Sequence, residues 1–193
     1  AEQTLEVSDS EFSDAPRDAR DWHHLIYVGA IGKFVLRGSR FQNGYLGHLV
    51  KSRARENHVL YNMLADGKDG KASFELEFPN GGTAYVIGNV IGQSAGTDNS
   101  GIVGYGAEGA RWPENAIYLV HNTLVNDSHA GSFLTVRSEK FSGGVEVWAI
   151  NNLTVGNGDF NRPAQGRFEG NRSVGRGELI EYGGLPVRLT SMS

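Results

Sequence analysis

Residues 85–91, YVIGNVI, and 118–124, YLVHNTL, decide the fold, because each sets a small polar residue between two apolar ones at the same offsets. Five further segments share the frame: LEVSDSEF (5–12), VLRGSRF (35–41), VLYNMLA (59–65), WAINNLT (148–154) and FEGNRSV (168–174). The polar anchors are Ser10, Ser39, Asn62, Asn89, Asn122, Asn152 and Asn171. Three positions before the anchor stand Val7, Leu36, Val59, Val86, Leu119 and Ala149, and two positions after it stand Phe12, Phe41, Leu64, Ile91 and Leu124. Columns of this kind are what stacked strands require of their inward faces.

A second strand set precedes each anchored segment. Ile26, Val50, Leu76, Val103 and Leu134 align, with Val28, Ser52, Phe78, Tyr105 and Val136 two residues later on the same face. Anchor spacings of 29, 23, 27, 33 and 30 residues fit constant strands joined by loops of unequal length. One such coil is too small to bury its own apolar face, so coils must stack, and stacking satisfies their strand hydrogen bonds. The expected fold is all-β, a right-handed parallel β-helix of about six to seven coils within one domain, 1–193. Residues 1–160 form the regular coils and 161–193 an irregular tail. Asparagine at the anchor is expected to adopt left-handed backbone geometry and to bond its amide to the next coil's asparagine, building a ladder.

Composition limits the function classes. The chain has 193 residues, 27 glycines, no cysteine and a net charge of −4. Interspersed charges give no broad cationic footprint for nucleic acid, and no apolar run suits membrane insertion. The absence of cysteine rules out disulfides and thiolate metal sites. AEQTLEVSDSEF carries no signal-peptide pattern, and neither end shows an obvious cap. Residues 1–20 and 160–193, another chain, or self-association through the end coils are therefore expected to shield the open edges.

The segments HHLIYVG, GHLVKSRARENHVLYN, FELEFPNGGTAYVIGN, YGAEG and VHNTLVND, all between His23 and Phe160, resemble the right-handed parallel β-helix repeat proteins of bacteria. That superfamily includes pectate-lyase-like and alginate- or chondroitin-lyase-like enzymes. The resemblance implies a secreted or periplasmic protein acting on an acidic polysaccharide, by β-elimination more readily than by hydrolysis. A non-catalytic carbohydrate-binding, adhesive or assembly module is the alternative. The closing LPVRLTSMS (185–193) resembles the segment that often begins the last turns of such proteins.

The outward column of the second strand set reads Tyr27, Lys51, Glu77, Gly104 and Thr135, and coils stack about 4.8 Å apart. His48 and Arg53 share the Lys51 coil. A uronate lyase must neutralise the substrate carboxylate, remove the C5 proton and protonate the leaving oxygen. Arg53 suits the first task, Lys51 or His48 the second and Tyr27 the third. Lys51 and Arg53 stand two residues apart, whereas the enzymes they resemble generally draw such a pair from different coils. The plainer reading of Lys51 and Glu77 is a cross-strand ion pair.

Glu75 and Glu77, expected on one face, could with Asn80 of the following PNGG turn furnish oxygen ligands for Ca²⁺, and Glu77 and Asn80 are also candidate substrate contacts. No cofactor is required by the chemistry. The DGKDG loop at 66–70 lacks the spacing of an EF-hand and reads as a turn. Four residues before the anchor, Val35, His58, Tyr85, Tyr118 and Trp148 form an outward stripe, and Tyr85, Tyr118 and Trp148 are candidates for stacking on sugar rings.

Overall fold

The computed structural model describes residues 3–18, 22–161, 166–182 and 185–189. Three parallel sheets wind into a β-helix of about six turns. The first sheet holds the strands before the anchors: Thr4–Ser8, Lys33–Arg37, Glu56–Leu60, Thr83–Ile87, Ala116–Val120, Glu146–Ile150 and Arg167–Glu169. The second holds those after them: Glu11–Ser13, Arg40–Gln42, Met63–Ala65, Val90–Gln93, Thr123–Asn126, Leu153–Gly156 and Arg172–Val174. The third, in chain order, is Ile26–Val28, Val50–Ser52, Leu76–Phe78, Gly101–Tyr105, Ser132–Val136 and Asp159–Asn161. Leu36, Val59, Val86, Leu119 and Ala149 are paired rung by rung and fully buried, as their column requires.

The anchors form the expected ladder. Nδ2 of Asn62 donates to Oδ1 of Asn89 at 3.0 Å, Asn89 to Asn122 at 3.0 Å, Asn122 to Asn152 at 3.0 Å and Asn152 to Asn171 at 2.9 Å. Each internal amide is fully used. Asn89 Nδ2 also donates to the Val59 carbonyl at 2.8 Å, and its Oδ1 accepts the Asn62 backbone N–H at 2.8 Å.

Two expectations are corrected. The left-handed geometry falls one residue before the anchor, where Asp9, Gly38, Tyr61, Gly88, His121, Asn151 and Gly170 have φ between 49° and 69°. An inward Asn with ordinary dihedrals completes a bend that its neighbour supplies. The regular register also runs past residue 160, because Arg167–Glu169 and Arg172–Val174 pair with the preceding coil. Leu185–Leu189 then pairs antiparallel with Leu179–Tyr182 instead of beginning further parallel turns. The shielding expected from residues 1–20 and 160–193 falls partly outside the described residues.

At the corner that enters the third sheet, two consecutive residues face the interior. Leu49 and Val50 are both fully buried, as are Ile102 and Val103, while Phe133 and Leu134 are 2% and 0% exposed. Glu75 occupies this added inward position, in line with Leu49 and Ile102, as the pairing of Leu76 with Val50 and Val103 dictates. No helix among the described residues is long and apolar enough to cross a membrane.

Candidate functional site

In the strand Val50–Ser52, Val50 and Ser52 are fully buried, so Lys51 faces outward. The third sheet pairs Tyr27 with Lys51 and Lys51 with Glu77, and Glu77 with Gly104, as the outward column requires. Arg53 leaves the same strand with its backbone N–H on the Val28 carbonyl at 2.9 Å. Its guanidinium reaches back to Tyr27, where Nε donates to Oη at 2.7 Å, and Nη1 donates to Asn80 Oδ1. Lys51, Arg53, His48, Tyr27, Glu77 and Asn80 are thus one cluster.

His48 occupies the position before Leu49, and His24 and Phe74 hold the matching positions of the adjacent coils. A side chain at Gly47 would strike the His23 carbonyl, its Cβ only 2.3 Å from that oxygen, so glycine lets these two coils close up. The His48 N–H then donates to His24 Nδ1 at 2.9 Å, and the Phe74 N–H to His48 Nδ1 at 3.1 Å. The two imidazoles stack with centroids 4.6 Å apart. With Nδ1 accepting, each neutral ring carries its proton on Nε2. His48 Nε2 lies 2.9 Å from Glu77 Oε2, which Lys51 Nζ approaches to 3.3 Å. His24 is held neutral, pushed down to about 4 by burial and then by the neighbouring His48 and Lys51. Burial alone would raise Glu77, but its hydrogen bond from His48 and the Lys51 ammonium hold it below the usual carboxylate range.

Glu108 and His24 complete the site and escaped the sequence reading. Glu108 stands on the turn between Gly106 and Gly109, both with positive φ, and its backbone N–H is pinned to the Pro79 carbonyl at 2.8 Å. Its carboxylate accepts from both Nη1 and Nη2 of Arg53, the latter at 2.8 Å, and from Lys51 Nζ at 3.2 Å. Hydrogen bonds from Arg53 and then Lys51 outweigh burial and pull Glu108 down to about 2. The same contact raises Arg53. Column arithmetic constrains strands and leaves loops free, so it could not place a loop residue that lies 55 positions from Arg53. His24 was hidden by the corner, where strict alternation breaks.

The proposed pairing of Glu75 with Glu77 as oxygen ligands fails on geometry. Glu75 turns inward at the corner and is fully buried, with neither carboxylate oxygen hydrogen-bonded, while Glu77 turns out towards His48 and Lys51. Burial, followed by repulsion from Asp66, raises Glu75 well above the usual range. Among the described residues no group of three or more His, Asp or Glu is arranged to hold a metal ion.

The aromatic stripe exists in register, Val35 to His58, Tyr85, Tyr118 and Trp148. Tyr85 and Tyr118 turn their faces to one another, while His58 is tilted by 33° to Tyr85 and Trp148 by 46° to Tyr118. Tyr85 and Tyr118 are parallel within 9° at 5.1 Å, and the Arg167 guanidinium covers Trp148 at 4.9 Å. Tyr118 Oη and Trp148 Nε1 both donate to Glu146, at 3.1 and 2.7 Å. Sugar stacking needs an open ring face, and the stacked Tyr85 and Tyr118 turn edges outward between them. Comparison with family models, with curated proteins and with solved structures returned no match.

Proposed function

We propose that this protein acts on uronate-containing acidic polysaccharide, as a secreted or periplasmic lyase that cleaves by β-elimination. The observation that carries the reading is the convergence of Lys51 and Arg53 on one carboxylate, that of Glu108. A cation pair that already grips a carboxylate in two-pronged fashion suits a uronate carboxylate, which would take the place of Glu108. Neutralising that group favours loss of the C5 proton by stabilising the charge that develops beside it.

Within the cluster, Tyr27 suits the proton transfer better than Lys51 or His48. Both His48 nitrogens are engaged and Lys51 is paired with two carboxylates, whereas Tyr27 is 53% exposed and accepts from Arg53 Nε. In this reaction Tyr27 acts as the base through its oxygen and takes the C5 proton, and the C–H electron pair is held on C5 beside the neutralised carboxylate. That pair forms the C4=C5 bond as the C4–O bond breaks, and the C4 oxygen leaves with the proton that Tyr27 returns. The test follows the ultraviolet absorbance of the unsaturated uronate product on alginate, pectate and glycosaminoglycans. Wild type and a Lys68→Ala control should turn over one of them, while Arg53→Ala, Lys51→Ala and Tyr27→Phe should lose that turnover with folding unchanged. Equal turnover in all five proteins would refute the site.

A non-catalytic carbohydrate-binding role is the second reading. Its support is the formal balance of the cluster, in which Glu77 and Glu108 offset Lys51 and Arg53. Oligosaccharide binding without product absorbance would favour it.

A further inference from the structure

We infer that the depression over Gly104 is a second sugar subsite, which seats a further anionic unit of a chain gripped at Lys51 and Arg53. This rests on the function proposed above. The outward column that runs through Tyr27, Lys51 and Glu77 continues to Gly104 and Thr135. Where Gly104 supplies no side chain the surface sinks into a depression of about 340 Å³, walled by Phe74, Thr135 and Arg137. That volume falls within the range of about 300–1,000 Å³ common to small-molecule sites.

The floor is kept clear by packing. A Cβ on Gly101 would come within 2.4 Å of Phe74 Cε1, and one on Gly104 within 3.2 Å of both Phe74 Cε1 and Glu77 Cγ. Neither glycine has a positive φ, so space and not backbone geometry calls for glycine here. The half-buried Phe74 ring meets His48 edge-on at 5.6 Å, which joins the depression directly to the cluster.

Its walls supply the three kinds of contact an acidic sugar needs. Phe74 offers apolar surface for the C–H face of a ring, and Thr135 offers a hydroxyl. Arg137 offers the charge. The Arg137 side chain is exposed, and among the described residues its guanidinium has no hydrogen bond or ion pair, unlike the fully engaged Arg53. Lys51 and Thr135 are three coil steps apart, about 14 Å at about 4.8 Å per coil. A short oligosaccharide laid along the helix axis would touch both cationic positions.

The test is calorimetric binding of monomeric and trimeric galacturonate and mannuronate to wild type, Arg137→Ala, Gly104→Val and Arg53→Ala. Wild type should bind one trimer about tenfold or more tightly than its monomer, the worth of one added charge-assisted contact. Arg137→Ala, an exposed change that leaves the core intact, should lose that gain and keep the monomer affinity, and Gly104→Val should lose the trimer gain by filling the floor. If Arg137→Ala and Gly104→Val bind the trimer as wild type does while Arg53→Ala does not, the subsite is overturned and the proposed function stands. If Arg53→Ala binds normally and Arg137→Ala loses the trimer, the subsite stands and the reading of the cluster falls. Absence of binding in every protein overturns both.

Discussion

Replacing Glu108 with glutamine removes one negative charge from Lys51 and Arg53 while keeping side-chain shape, so it separates competition for the cation pair from loop packing. The main chain of that loop is held independently, by the Glu108 N–H on Pro79 and the Arg111 N–H on Asn80, at 2.8 and 3.0 Å. Glu108→Gln is expected to tighten binding of a monomeric uronate by about tenfold, the equivalent of about 1.4 kcal/mol. Unchanged affinity in a calorimetric titration would mean that Glu108 does not occupy the ligand position. Glu75 makes the opposite case, a charge-bearing group with no hydrogen-bond or ion-pair partner on another residue among the described ones. It stands where its neighbours are Leu49 and Ile102, both fully buried. Glu75→Leu is expected to stabilise the fold at neutral pH by about 1–3 kcal/mol, since a buried carboxyl without hydrogen bonds is replaced by an apolar side chain of similar volume. A denaturant midpoint at or below that of wild type would contradict this.

The repeating bend is built from two adjacent residues with separate duties, one that turns the chain and one that ties coil to coil. In the turning column, side chains alternate with glycine from Asp9 to His121, and the Tyr61 ring lies across Gly88, whose added Cβ would meet it at 2.6 Å. Gly88→Ala therefore combines a clash with left-handed strain. It is expected to lower stability by about 1–2 kcal/mol. Asn89→Ala leaves the Asn62 backbone N–H and amide without their acceptor and should cost about 1–3 kcal/mol. Thermal melts of the two variants check both, and a melt like that of wild type for Asn89→Ala would show that the ladder is not stabilising. The strand columns were legible in the sequence because side-chain direction in a strand has a period of two. The split between turning and tying residues was not, since DS, GS, YN, GN, HN, NN and GN look like one polar turn until the dihedrals are known.

At the scale of the whole molecule, buried carboxylates give stability a maximum in mild acid. Asp66, fully buried, is pushed from 3.8 up to about 6 by burial, which outweighs its hydrogen bonds from Ala72, Gly44 and Ser94. Glu75 is raised as well. A carboxyl whose pKa is higher in the folded state contributes stability that is complete below its unfolded value and is lost as pH rises through the folded one. For Asp66 alone the loss between about pH 4 and pH 6 is about 3 kcal/mol. Glu108 acts in the opposite sense, its contribution falling away as pH drops from 4.5 towards about 2. His24, pushed down from 6.5 to about 4, gains stability over the same interval and offsets Asp66, so Glu75 decides the sign: the melting temperature should fall as pH rises from about 4 to 6, and Glu75→Leu should remove that fall. A melting temperature that rises over the same interval would refute the assignment. The sequence by itself determined the parallel coils, the asparagine ladder and the outward alignment of Tyr27, Lys51 and Glu77, because these depend on strand periodicity and on repetition along the chain. Only the tertiary structure decided that Glu75 turns inward, that His24 stacks on His48 and that Glu108 closes on Arg53. Corners break alternation, and loops reach across coils by a geometry that no local period encodes.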